Sequence, residues 1–203
     1  MRRTDAPALD PDRAAPGGRP AASGSLLREV LPLLPAASDS VRPLLAIDLS
    51  CGTSSDPRAL IDAGWTVLAL AASTAAKKRL LAGLRDSDSV RLTVDTADFS
   101  ALLLPQADLI YTGTWLPECA PHVFGHAWSR IVPAIRPGGW FVGRFLGDRD
   151  RRTPNPSLSF LTRKQVVTFL SGFLIELLRE RENPSHEHVI DIVARRRPTF
   201  PDI

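Results

Sequence analysis

The run Leu44-Leu45-Ala46-Ile47-Asp48-Leu49, followed by Ser50-Cys51-Gly52-Thr53-Ser54-Ser55 and then Asp56-Pro57, constrains this chain more than any other stretch. A short apolar run with a single charge, bounded by turn formers, is the pattern of a strand buried on both faces of a parallel sheet. The turn after it is small at almost every position, so backbone can pass close to a ligand that bulkier side chains would hold off. Asp56 is suited to cap a helix with Pro57 in its first turn, which makes the reading strand, tight turn, helix.

The same rhythm runs along the rest of the chain. Gly64 is placed to end a helix over 56–63, and Thr66 to Leu70 reads as a second strand. Ser73 caps a helix running to Leu84, and 90–94 and 107–112 read as strands three and four. A helix over 121–135 carries Val123, Phe124, Ala127, Trp128, Ile131, Val132 and Ile135 on one face, with Pro133 in its last turn. Arg136-Pro137-Gly138-Gly139 turns the chain into a fifth strand over 140–146. Thr162 caps a helix over 163–170, and the apolar runs 173–178 and 189–194 complete the sheet. Alternating strands and helices require right-handed crossovers, hence an α/β fold with a mostly parallel sheet and helices on both faces.

The 203 residues, 44% of them hydrophobic, suit one globular domain, assigned to 25–198. It opens on a short helix from Ser25, cut by Pro32 and Pro35. Residues 1–24, rich in Pro, Gly and Ala without an apolar period, are expected to be disordered, and 199–203 to form a tail. The 25 basic residues face 22 acidic ones with no long basic stretch, so the net charge of +3 argues weakly for nucleic acid and no such partner is expected. There is no run of 18 apolar residues and no apolar N-terminal segment, so no membrane span or signal peptide is expected, and a cytoplasmic location is. Cys51 and Cys119 form no ligand-like cluster and fit a reducing compartment.

The Asp-x-Ser-x-Gly-x-Ser at 48–54 resembles the opening motif of the class I S-adenosylmethionine-dependent methyltransferases, where an acidic residue precedes Gly-x-Gly-x-Gly. Within that class the chain is similar to small bacterial enzymes of the tellurite-resistance type. The matching pieces are Ala63-Gly64-Trp65-Thr66-Val67, Ile135-Arg136-Pro137-Gly138-Gly139, Gly147-Asp148-Arg149-Asp150, and His186-Glu187-His188 running into Val193-Ala194-Arg195-Arg196. Their order over 42–198 is more specific than any one of them. The resemblance implies a Rossmann-like sheet of seven strands with the last strand antiparallel, S-adenosylmethionine as cofactor, and methyl transfer to a small molecule. It assigns Asp48, Ser50, Gly52 and Ser54 to the cofactor's methionine side, and Asp98 and Phe99 to its adenine. Ala71 stands where relatives carry the acid that holds the ribose hydroxyls, and Ser50 and Ser54 replace two glycines. These departures point to weakened cofactor binding, and to a repurposed cyclase, isomerase or regulatory binding protein as the alternative.

Ligands of open parallel sheets bind beyond the carboxyl ends of the strands. Tyr111, Glu118 and His122 follow strand four there and are the candidate general bases, with ordinary exposed residues as the alternative. Trp115 is placed to cover a substrate. Arg144, a charge in an apolar strand, is expected with Arg149 to hold an anionic substrate, or else to sit in an ion pair with Asp148, Asp150 or another acid. His186 and His188 share one side of a strand by the period of two and are assigned to substrate contact; no third ligand accompanies them and no metal is expected.

Overall fold

The computed structural model describes residues 25–36, 40–50, 55–71, 73–96, 103–113 and 115–198. The expectations for 1–24 and 199–203 lie outside them. Eight strands form one sheet: β1 (Leu45–Asp48), β2 (Thr66–Ala71), β3 (Leu92–Thr96), β4 (Ala107–Gly113), β5 (Ile135–Gly147), β6 (Phe160–Leu161), β7 (Phe173–Glu182) and β8 (His188–Arg196). The order across the sheet is β3-β2-β1-β4-β5-β8-β7, with the two-residue β6 added beside β5. Strands β1 to β6 pair in parallel, and β8 runs antiparallel between β5 and β7. The expected mostly parallel sheet with an antiparallel last strand is therefore present, with one short strand more than the seven read from the sequence.

The alternation of each strand divides the core into two layers. One face of the sheet meets α1 (Leu26–Val30), α2 (Ser55–Asp62) and α3 (Thr74–Ala82) through Leu27, Val30, Leu60, Leu80 and Trp65. The other meets α4 (Pro121–Ala134) and α5 (Arg163–Phe169) through Phe124, Trp128, Ile131 and Val166. The apolar stripe read on α4 is buried as its spacing requires, with the Trp128 ring edge-on to Phe141 at 5.0 Å between centroids.

Element ends depart from the sequence reading for local reasons. Strand β3 begins at Leu92, because 86–90 is a 3-10 turn tied by Asp88, whose carboxylate accepts from the Arg85 amide at 3.0 Å. Strand β5 begins at Ile135, which pairs with Ala107; 136–139 then bulge outward, with Gly138 at φ 79, and pairing resumes at Trp140. Strand β7 runs to Glu182 although its apolar run stops at Leu178, since Arg179 to Glu182 still pair with β8. Helix α2 starts at Ser55, so Asp56 lies inside its first turn rather than before it.

Candidate functional site

Asp48, the last residue of β1, is fully buried. Its Oδ1 accepts from the Ser50 amide at 2.8 Å and the Ser50 hydroxyl at 2.6 Å, which ties the chain leaving β1 to the strand end. Burial pushes its carboxyl up to about 7; the two Ser50 bonds oppose this, and the charge of Asp56 adds to it. Beside this strand end, β4 ends at Gly113 with φ 50, and a Cβ there would come within 2.6 Å of the Ser50 Cβ. Glycine is thus required at 113 both by its backbone conformation and by the approach of Ser50.

Tyr111 is paired in register with Asp48, and its buried hydroxyl donates to Asp56 Oδ2 at 3.2 Å. Burial, then the charge of Asp56, holds the phenol well above its usual range. It serves as a donor that ties β4 to the first turn of α2, and this arrangement does not suit the base expected of it. Glu118 and His122 are exposed, in the 3-10 turn and at the first turn of α4 that follow β4. Trp115 is half-buried against the α4 layer. The neighbouring Cys119 thiol is pushed up to about 11, first by burial, and is no nucleophile.

The two arginines expected to act together lie on opposite faces of the sheet. Arg144 is buried and its Nε donates to Asp191 Oδ1 at 2.6 Å, directly across the β5–β8 register. Asp191 also accepts from Arg179 at 3.0 Å and from Arg181 at 2.5 Å. Of the two expectations for Arg144, the ion pair is the one observed, with an acid on β8 instead of Asp148 or Asp150. Arg149 lies on the α5 side, where its guanidinium meets Glu180 at 3.3 Å and Glu182 at 3.4 Å.

His186 and His188 do not share a side. Strand β8 begins only at His188, and His186 sits in the preceding turn at φ 55 with an exposed ring, so the period of two does not reach it. The His188 ring is buried against Gly147, where a Cβ would collide with it. The Arg149 amide donates to His188 Nδ1 at 3.2 Å, and Nε2 lies 3.0 Å from the Arg149 guanidinium and 3.3 Å from Glu180 Oε2. His188 thus positions the loop that carries Arg149. Among the described residues no group of three His, Cys, Asp or Glu is arranged to hold a metal, and no helix is long and apolar enough to cross a membrane. Asp56 and Asp191 were missed in the sequence; the small-residue turn marked the first only as a helix cap, and nothing local marked the second.

No protein-family profile matches the sequence, and no curated protein matches it either. Solved structures do match. An S-adenosylmethionine-dependent methyltransferase from Mesorhizobium loti superposes with a TM-score of 0.66 at 21% identity, over 85% of this chain and 99% of that one. The fold is that of the class I methyltransferases. TehB from Haemophilus influenzae gives 0.65 at 12% identity over 77% of this chain and 59% of its own. A Burkholderia thailandensis 1,6-didemethyltoxoflavin-N1-methyltransferase, with its substrate and S-adenosylhomocysteine bound, gives 0.65 at 18% over 85% and 78%. On this methyltransferase fold, Ala71 closes β2 fully buried and beside Thr96 of β3, with no carboxylate of its own to offer a ribose. Gly52, Ser54, Asp98 and Phe99, the other expected cofactor contacts, lie outside the described residues.

Proposed function

We propose that this protein is an S-adenosylmethionine-dependent methyltransferase acting on a small molecule. The observation that carries the reading is the end of β1, where Asp48 holds Ser50 and Gly113 yields to it, at the carboxyl end of the strands. Tyr111 and Asp56 bring the first turn of α2 to the same edge, and a helix start there suits the carboxylate of the cofactor's methionine part. At the ribose position the fit is poorer, because Ala71 supplies no acceptor. A hydrogen bond to a charged group contributes about 1.5–3 kcal/mol, so each bond lost lowers affinity about ten- to a hundredfold.

The cofactor supplies an activated sulfonium methyl group, so the protein's part is alignment and exclusion of water. Tyr111 and Asp56 fix the floor of the site, and Leu26, Leu27 and Val30 of α1 close the same face of the sheet. A soft or anionic acceptor needs no base; for a hydroxyl or ammonium acceptor, His122 and Glu118 are the exposed groups after β4 that can take a proton. The small-molecule assignment is supported by the toxoflavin-type substrate named for one structural neighbour, and by described residues that build only the sheet and its helices. A second reading, a non-methylating protein of the same fold, is favoured by Ala71 alone.

Isothermal titration with S-adenosylmethionine and S-adenosylhomocysteine tests the choice. Micromolar binding that Ala71→Asp tightens and Gly52→Arg abolishes supports the methyltransferase. Absence of heat and of thermal stabilisation with either ligand sinks it in favour of the second reading.

A further inference from the structure

A cavity opens at the other end of the sheet. The 3-10 turn after α1, the chain entering β1, the first residues of β4 and β5 and the last residues of β8 enclose about 570 Å³. All of these lie at the amino-terminal edge of the parallel strands, away from Asp48, Tyr111 and Gly113 at the carboxyl edge. The volume falls within the roughly 300–1,000 Å³ usual for small-molecule sites.

Its walls combine apolar surface with an excess of positive charge. Leu34, Leu44 and Trp140 supply the first, and Leu33 stands at the rim 61% exposed. Arg42, Arg136 and Arg195 supply the second, against the single carboxylate of Asp108 among the described residues. That carboxylate is fully engaged: it accepts from Arg42 at 2.8 Å, from Arg136 at 3.1 Å and from the Leu45 amide at 2.9 Å. These bonds explain Arg42 and Arg136 as ties that hold the entry of β1 against β4 and β5. They do not explain Arg195. Its guanidinium lies 5.7 Å over the Trp140 ring and its Nε donates to the Gly138 carbonyl at 3.0 Å, with no carboxylate partner among the described residues. Among the described residues, three guanidinium groups facing one carboxylate leave a surplus of two positive charges at the mouth of a partly apolar cavity, where an anion gains both Coulomb attraction and paired donors.

We propose that this cavity binds a small organic anion, its carboxylate, sulfonate or phosphate held by Arg195 and Arg136 and its apolar body lying against Trp140, Leu34 and Leu33. The Arg195 guanidinium lies over the indole and lines the cavity, and arginine's planar fork of donors matches flat or tetrahedral oxyanions. The site is separate from the proposed cofactor cleft, so its occupation does not depend on that reading.

The test is a fluorescence titration of the full chain with 8-anilinonaphthalene-1-sulfonate, an aromatic sulfonate, repeated in saturating S-adenosylhomocysteine and on three variants. Single-site binding is expected, unaffected by S-adenosylhomocysteine and weakened about tenfold or more by Arg195→Gln, the scale of one charge-assisted hydrogen bond. Arg195→Lys, which keeps the charge, should restore part of the affinity, and Arg163→Gln, an exposed arginine on α5, should leave it unchanged. Thermal unfolding of each variant confirms that it is folded. Binding that is absent to millimolar probe, insensitive to Arg195→Gln, lost equally in Arg163→Gln, or displaced by S-adenosylhomocysteine would overturn the proposal.

Discussion

Asp48 sets a measurable signature on the whole chain. Its carboxyl is raised from 3.8 to about 7 in the folded protein. Between those values the folded state holds a proton that the unfolded state has released. Its contribution to stability is therefore fully present below about pH 4 and is lost as pH rises through 7. Asp48→Asn keeps an oxygen acceptor for Ser50 but does not titrate. In urea unfolding from pH 4 to 8, the stability of the Asn variant should gain on the wild type by up to about 1.4 kcal/mol per pH unit below pH 7, then level off. A difference that stays flat across the range would show Asp48 ionised throughout. Asp191 is buried among Arg144, Arg179 and Arg181. Asp191→Ala removes the buried carboxylate that three arginines share and should cost about 3–5 kcal/mol in urea unfolding. The sequence showed that a charge at Arg144 needs a partner, because the strand around it is apolar. It could not show which, since Asp191 is brought opposite only by the antiparallel β5–β8 register. The failure at His186 has the same origin: the period of two holds within a strand, and where the strand begins is set by pairing.

Helix α1 has five residues, too few to stand alone. It is held by three buried side chains, Leu26, Leu27 and Val30, and by two ties: Arg28 to the Ser55 carbonyl at 3.0 Å and Glu29 to Arg179 at 2.9 Å. These ties bridge α2 and β7, so the helix straps the face on which Asp48 and Tyr111 lie. The Glu29–Arg179 pair is partly exposed, so Glu29→Gln should cost no more than about 1 kcal/mol in global unfolding. Hydrogen exchange at the Glu29 and Val30 amides should nonetheless quicken relative to β4. Unchanged exchange would mean that the apolar face alone seats the helix. Where β5 meets β8, Gly147→Ala forces a methyl into the His188 ring and should destabilise by about 1–3 kcal/mol, with the loss confined to the unfolding rate and midpoint and not to the sheet's circular dichroism. Elements were legible where one face alone is buried, as on α4, whose stripe is visible in the sequence. They were not where pairing overrides pattern: β7 continues through Arg179 to Glu182 because those side chains find ion pairs on both faces.

At the scale of the molecule, the small-residue turn was legible because a strand, a tight turn and a helix are contiguous in sequence, and the parallel sheet then fixes which edge they occupy. The cavity at the opposite edge was not, since Arg42, Arg136 and Arg195 meet only after the chain has crossed the sheet several times. The same topology decides how the protein unfolds. The two apolar layers share β1, β4, β5 and β8, whose alternate side chains enter one layer or the other: Ile47 and Phe141 one, Ala46 and Val142 the other. Neither layer can melt without removing the backbone that supports its partner, so a single cooperative transition is required. Trp65 is buried in the α2 layer and Trp128 in the α4 layer, which gives each its own reporter. Replacing Trp115, Trp128 and Trp140 with Phe leaves Trp65 to follow the first, and replacing Trp65, Trp115 and Trp140 leaves Trp128 to follow the second. Within each variant, tryptophan fluorescence and far-ultraviolet circular dichroism should give the same urea midpoint and slope, though each substitution lowers the midpoint by its own amount. A fluorescence transition that precedes the loss of sheet in one variant alone would show that its layer opens first, and that α1 to α3 or α4 and α5 form a separable unit on the shared sheet.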